Sequence, residues 1–283
     1  MPSSLLFFFV FLFGLVIGSF LNCVIYRLDK EENLVSQRSH CPFCGHTLSW
    51  QDLIPFLSFL LLKGKCRYCK KPISWQYPLV ELATAILFVF LFQWHSRSFS
   101  LAIGSPFAYF FSLAYLFSAA SFLIVIFVYD LKYYLVADEV IYPAIVLSFL
   151  ADVFFAFSGS HFPQQDLIQD SFLNLLASKA LAAVLASGFF LIIVLVSQEK
   201  WMGMGDVKLA IFMGLFLGWP QILVALFAAF FFGAIIGIGL IVFSKKKLKS
   251  EVPFAPFLIS ATFIALFWGE KIISWYLSLF FNF

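Results

Sequence analysis

The chain has 283 residues, of which 63% are hydrophobic and 12% charged, with a mean hydropathy of +0.98. Soluble globular proteins average roughly 45–50% apolar and about 25% charged residues, so this composition excludes that class and describes an integral membrane protein. The net charge of +3 is small, its placement says more than its sum, and no nucleic-acid-binding face is expected from it.

The first apolar stretch, Leu5 to Ile25, is long enough to cross a bilayer, which takes about 20 residues. No Lys or Arg precedes it, Arg27 and Lys30 follow it, and it lacks a small-residue cleavage site. It therefore reads as a retained span with its N-terminus outside. Residues 27–76 form the one long polar segment, with Arg27, Lys30, Arg38, Lys63, Lys65, Arg67, Lys70 and Lys71, and the positive-inside rule assigns it to the cytoplasm. Within it, Leu53 to Leu62 is apolar but too short to span.

This segment also holds Cys41-Pro-Phe-Cys44 and Cys66-Arg-Tyr-Cys69, separated by 21 residues. Each C-x-x-C turn aims two sulfurs at one point, which is how thiolates make a closed tetrahedral zinc site. A site with Cys41, Cys44, Cys66 and Cys69 as ligands has no open position, so it is expected to fold the segment rather than catalyse. Redox dithiols or disulfides are the alternatives, and a reducing cytoplasm disfavours the latter. His40 and His46 lie close by but are not needed as ligands, and Cys23 reads as an apolar packing residue.

Further apolar runs follow at about 78–94, 104–129, 140–157, 174–197, 207–218, 221–243 and 254–269. The expected fold is an all-α polytopic membrane protein of about eight transmembrane helices with a small cytoplasmic four-cysteine insertion after the first. The expected divisions are a first helix over 1–26, a zinc-binding segment over 27–76 and a membrane core over 77–283. The run 207–218 is short, and the apolar tail beyond Glu270-Lys271 reads as interfacial or re-entrant. With eight spans, Lys132, Lys200, Lys208 and the Lys245–Lys249 cluster fall inside, and only Arg97, Lys179 and Lys271 fall outside.

Ionisable groups at membrane depth are costly and are functional candidates by default. Here they are Glu81, Asp130, Asp138, Glu139, Asp152 and Asp206. Asp130 ends the third span and Asp206 opens the sixth, and the hairpin between them returns the chain to the same side, so the two carboxylates can meet. Like charges 4 Å apart repel by about 4 kcal/mol at an effective dielectric of 20, so such a pair holds one proton. One member can then accept a proton from water while the other donates to a carbonyl, which is aspartic-protease chemistry. Gly203 and Gly205 flank Asp206 and let backbone approach the carboxylate. A plain helix start, with Asp206 as its cap, is the simpler reading of that stretch alone. Asp138 competes as partner, although it also suits a helix N-terminus, as does Glu139. Glu81 reads as a capping or charge-pairing residue, and Asp152 has no assigned role. Neither a G-x-S-x-G elbow nor an H-E-x-x-H helix occurs.

Taken in order, these motifs resemble the type IV prepilin peptidase family. The resemblance rests on Gly14-Leu-Val-Ile-Gly-Ser-Phe-Leu-Asn22 with Arg27-Leu28, on Arg38-Ser-His-Cys-Pro-Phe-Cys44 and on Pro55-Phe-Leu-Ser58. It continues through Gly64-Lys-Cys-Arg-Tyr-Cys69, Pro78-Leu-Val-Glu81, Asp130 to Asp138, and Gly203 to Lys208. It implies Asp130 and Asp206 as the catalytic pair, supported by Gly203, Gly205 and Asp138. It also implies a bacterial inner-membrane enzyme that removes a basic leader from prepilins or pseudopilins, after a glycine, at the cytoplasmic face. Methylation of the new N-terminus by S-adenosylmethionine is implied as well, with Gly64 and Lys65 tied to that activity. Ala137 and Asp29 stand where the family usually has proline. Glu31, Glu32 or Asp138 would receive the basic leader. A presenilin-like intramembrane protease, a proton-coupled carrier using Asp130, Asp152 and Asp206, and a zinc-anchored scaffold are the competing readings.

Overall fold

The computed structural model describes residues 3–30, 38–98, 106–158, 172–244 and 253–281. Among them lie nine α-helices and no strand: α1 (Ser3–Lys30), α2 (Leu57–Leu61), α3 (Gln76–Ser98), α4 (Pro106–Tyr133), α5 (Asp138–Ser158), α6 (Phe172–Ser197), α7 (Met204–Leu217), α8 (Gln221–Ser244) and α9 (Ala255–Phe281). In a bilayer every backbone polar group must be satisfied within its own segment, which is why apolar runs of this length become helices. Each apolar run expected to span coincides with a helix among the described residues. Among the described residues, seven helices are long and apolar enough to cross: α1, α3, α4, α5, α6, α8 and α9. The eighth run is α7, whose 14 residues rise about 21 Å against a hydrocarbon core about 30 Å thick.

One expectation changes. The tail beyond Lys271 is not re-entrant, because α9 continues through it to Phe281. Lys179 lies within α6, as the run 174–197 expects, and only 3% of it is exposed.

The chain forms two compact units, residues 1–97 with 116–125, and residues 98–115 with 126–283. In the first, α1 and α3 touch backbone to backbone. A Cβ at Gly14 would lie 2.6 Å from the Ala85 Cα, and one at Gly18 would lie 2.7 Å from the Glu81 Cα. Small residues four apart allow this approach where lipid offers no hydrophobic drive between helices. Phe88, fully buried, stacks on Phe117 at 4.2 Å beside this seam.

In the second unit α7 is the central element, packed chiefly on α6 and α5. Its contact with α6 is again glycine-driven, because a Cβ at Gly214 would lie 2.3 Å from the Ala183 Cα. Phe155, Phe190, Phe212 and Phe216 fill the surrounding core. Gly218 ends α7 at φ +75°, donating its N–H to the Gly214 carbonyl at 2.9 Å, a glycine-type helix stop.

Candidate active site

Asp130 occupies the last turn of α4, and Asp206 the first turn of α7. Both belong to the second unit. Asp130 is buried at 5% exposure, and its Oδ2 has no hydrogen-bond partner among the described residues. Asp206 is half-buried, with its N–H donating to the Gly203 carbonyl at 3.2 Å. The two carboxylates are close enough for their charges to interact. At the start of a helix Asp206 also meets the positive end of the helix dipole. Two acids whose charges act on one another, one with an unused acceptor oxygen, supply the groups that proton transfer with a water requires.

The loop between α4 and α5 packs on the residue before Asp206. A Cβ on Gly205 would come within 2.9 Å of Val136 Cβ, so the missing side chain lets that loop lie on the start of α7. Gly203 is exposed, with ordinary extended backbone (φ −89°), and a Cβ there would make only ordinary contact, 3.9 Å from Gly205 N. Nothing in its geometry demands glycine. Asp138 begins α5 and is more than half exposed, and its Oδ1 accepts from Lys208 Nζ at 2.6 Å. The Lys208 ammonium also sits 5.0 Å from the centre of the Tyr142 ring. Asp138 is thus engaged by a cation one half-turn past Asp206, a pairing that the sequence reading missed.

The four cysteines converge in the first unit. Their sulfurs all lie within 4.8 Å of one another, and Cys41 Sγ is 3.9 Å from Cys69 Sγ. Thiolates bound at 2.3 Å in a tetrahedron stand about 3.8 Å apart, so the donor set fits zinc with at most a small contraction. The two C-x-x-C turns repeat one backbone pattern. Gly45 N–H donates to the Cys41 carbonyl at 2.9 Å, and Lys70 N–H to the Cys66 carbonyl at 3.0 Å, with both donors left-handed at φ +68° and +60°. Burial pushes the Cys41 thiol up, but hydrogen bonds from the Phe43 and Cys44 backbone and from the Cys44 and Cys66 thiols outweigh it and bring it down to about 7. At Cys69 the Lys71 backbone pulls down, while burial and the three other thiols push up to about 11. A crowd of thiols sharing few charges suits a cation at its centre. The cluster contains neither His40 nor His46, and the His46 ring lies 3.6 Å from the Tyr68 ring.

Residues 12–95 match the family model described as the bacterial peptidase A24 N-terminal domain, and residues 116–238 match that of the type IV leader peptidase family. A prepilin leader peptidase/N-methyltransferase of Aeromonas hydrophila is 34% identical over 293 residues, covering 95% of this chain and 93% of its own. The protein so named in Bacillus subtilis strain 168 is 31% identical over 271 residues, covering 95% and 97%. That of Pseudomonas aeruginosa strain PAO1 is 30% identical over 289 residues, covering 94% and 91%. The chain belongs to the type IV leader peptidase family. No solved structure matches it.

Within this leader peptidase, two buried polar contacts join the motifs of the first unit. Glu81 is 7% exposed, and its Oε2 accepts the Phe56 N–H at 2.7 Å, holding Phe56 in its left-handed conformation at φ +59°. Asn22 is 2% exposed and donates from Nδ2 to the Tyr77 carbonyl at 2.9 Å. Glu81 therefore binds a backbone N–H rather than a charged partner. The signal was available in Pro55-Phe-Leu-Ser58 and Pro78-Leu-Val-Glu81, but nothing in their spacing says that they meet. Asp52 was missed as well. Its Oδ2 accepts from Ser49 and Tyr68 and its Oδ1 from Arg67 at 2.7 Å, which ties the second cysteine turn to the chain that follows the first. Burial raises the Asp52 carboxyl, but the hydrogen bonds from Ser49, Arg67 and Tyr68 outweigh it and hold the group below the usual carboxylate range. Gly64, at φ +68°, needs glycine for its turn and for its contact with the Phe59 ring, while Lys65 is exposed. Glu31 and Glu32 lie outside the described residues.

Proposed function

We propose that this protein is a membrane aspartic endopeptidase that cleaves the leader from type IV prepilins or pseudopilins and then N-methylates the new N-terminal residue. Asp130 and Asp206 carry the cleavage. The supporting observation is that two acids far apart in sequence, at the ends of α4 and α7, lie within electrostatic reach of one another, one with a buried and unused oxygen, in a chain of this family. One ionised carboxylate removes a proton from water as it attacks the scissile carbonyl. The protonated partner donates to the carbonyl oxygen; the acid that took the proton of water then passes it to the leaving amine as the C–N bond breaks, while the partner recovers its own proton from the collapsing diol. Gly205 and the Lys208–Asp138 pair hold the loop and the start of α7 around this chemistry.

Cys41, Cys44, Cys66 and Cys69 would hold zinc as a structural ion. S-adenosylmethionine would supply the methyl group to the freed amine, and the Gly64–Lys65 turn remains the candidate tied to that step. The enzyme is read as a bacterial inner-membrane protein embedded in lipid, with residues 27–76 and both aspartates on the cytoplasmic side, as the Lys and Arg distribution favours. The divisions 1–26, 27–76 and 77–283 follow that topology. Glu31 and Glu32 are the candidates to receive a basic leader, since Asp138 already has Lys208. The family membership disfavours the presenilin-like, carrier and scaffold readings.

The test is cleavage and methylation of a prepilin in membranes that contain the wild type, Asp130→Asn, Asp206→Asn or Asp138→Asn. The first two variants should lose about 10³-fold or more in cleavage, and Asp138→Asn less than about tenfold. Methylation of pre-cleaved pilin should survive in all of them. Cleavage by Asp130→Asn at the wild-type rate would remove the pair from the mechanism.

A further inference from the structure

The mechanism makes no use of two buried charges in the second unit. Asp152 on α5 is 4% exposed and Lys179 on α6 is 3% exposed, with Lys179 Nζ standing 3.8 Å from Asp152 Oδ1. Burying two ions in a bundle is costly and rarely adds stability over apolar residues of the same volume, so a pair there asks for another reason. The lysine supplies one. Its Nζ also donates to the Phe216 carbonyl at 3.0 Å, in the last turn of α7.

Carbonyls in the last turn of a helix are the ones the helix ladder does not pair, and in most spans water or headgroups serve them. Because α7 rises only about 21 Å, both its ends cannot reach the two faces of a bilayer core about 30 Å thick. The Phe216 carbonyl therefore ends inside the protein, where an unsatisfied group is expensive. Lys179 supplies a donor and places positive charge at the negative end of the helix dipole, and Asp152 balances that charge. Gly218 makes room, since a Cβ there would lie 3.1 Å and 3.2 Å from Lys179 Cδ and Cε. One turn along α6, Ala183 meets Gly214 of α7 backbone to backbone. The far end of α7 is thus held at two successive turns.

Asp206 lies ten residues before Phe216 on the same helix, about 15 Å along its axis. A helix is stiff over that distance, so movement at Phe216 along the axis appears at Asp206. We propose that the Asp152–Lys179 pair is a positioning device that pins the C-terminal end of α7 and thereby sets the axial placement of Asp206 opposite Asp130. This rests on the reading of those two acids as the catalytic pair. Neither Asp152 nor Lys179 touches the reacting atoms, so the pair acts through α7.

The experiment uses the full-length enzyme in lipid nanodiscs with a prepilin substrate. It compares the wild type, the apolar pair Asp152→Leu/Lys179→Met, the reversed pair Asp152→Lys/Lys179→Asp, the conservative Lys179→Arg, and Asp130→Asn. The reversed pair keeps both charges but moves the donor to α5. Both double variants should lose about tenfold to a hundredfold in kcat with KM within about twofold, because misplacement of a reacting group by about 1 Å costs that much. Amide hydrogen exchange over residues 204–208 should quicken in step with the loss. Lys179→Arg, which keeps donor and charge, should stay within about threefold of the wild type. A folded apolar or reversed pair with wild-type kcat would overturn the proposal, as would slow cleavage with unchanged exchange at the start of α7. Loss of folded protein in both double variants would overturn it too, since the pair would then hold the fold rather than the register. Cleavage by Asp130→Asn would instead sink the reading of the site, whatever the pair does.

Discussion

The cysteine segment and the bundle around α7 reach order by opposite means. The former, residues 38–75, has few buried apolar side chains; Phe59 is one, and Trp50, Leu57, Leu60, Leu61 and Trp75 are largely exposed. Its shape comes from directional bonds, namely four converging sulfurs, two matched turns and the hydrogen bonds that meet on Asp52. Around α7 nearly everything is buried, and shape comes from the absence of side chains, with Gly214 on Ala183 and Gly205 under Val136. A directional bond fails when one ligand is removed. A close backbone contact fails when one methyl group is added.

Three substitutions would break or sharpen that contrast. The largest effect belongs to Cys66→Ser, or to stripping the metal with a chelator. Zinc binding contributes on the order of 10 kcal/mol to folding such segments. Residues 38–75 should therefore become protease-sensitive and lose bound metal, while thermal melting of the membrane helices stays where it was. Bound metal by mass spectrometry and limited proteolysis check this together. Next comes Gly214→Ala, where one methyl group meets Ala183 backbone. Overpacking of this kind costs about 1–3 kcal/mol, and the thermal midpoint in detergent and the cleavage rate should both fall. An unchanged midpoint would show that α6 and α7 can separate freely. The smallest is Asp52→Asn, which weakens the hydrogen bonds from Arg67, Ser49 and Tyr68 by about 1–2 kcal/mol. Because the folded Asp52 titrates below its unfolded value, its contribution is full above the unfolded pKa, about 3.9, and is lost as pH falls through the folded one. The variant should lose that part of the acid sensitivity of residues 38–75, which amide exchange between pH 5 and 3 would register.

How much of this could be read from the sequence follows the same division. Cys41, Cys44, Cys66 and Cys69 announce themselves because ligand geometry imposes a fixed spacing along the chain. The helices announce themselves because a bilayer imposes a minimum apolar length. Asp130 and Asp206 stand out as charges at the ends of apolar runs, and topology suffices to bring them to one depth. What stayed hidden is whatever depends on which helix face meets which. Lys179 is one cation in an apolar run, and only the packing of α6 on α7 shows it as the partner of Asp152 and Phe216. Gly14 and Gly18 were noticed as part of a motif, but their work, contact with Ala85 and Glu81, needs α3 beside α1. The length of α9 was misjudged because Glu270-Lys271 looks like a stop. A helix carries two charged residues through without a break when their side chains reach its surface, and Lys271 is exposed.

The glycine seam between α1 and α3 has a consequence for the chain between them. The chain that holds residues 38–75 joins these two helices, which are held together by their own contact at Gly14 and Gly18. With the helices as a closed stem, this segment does not bear the entropy of loop closure in its own folding. It can open and refold as a local unit, with the stem as anchor, and need not draw the membrane helices into each excursion.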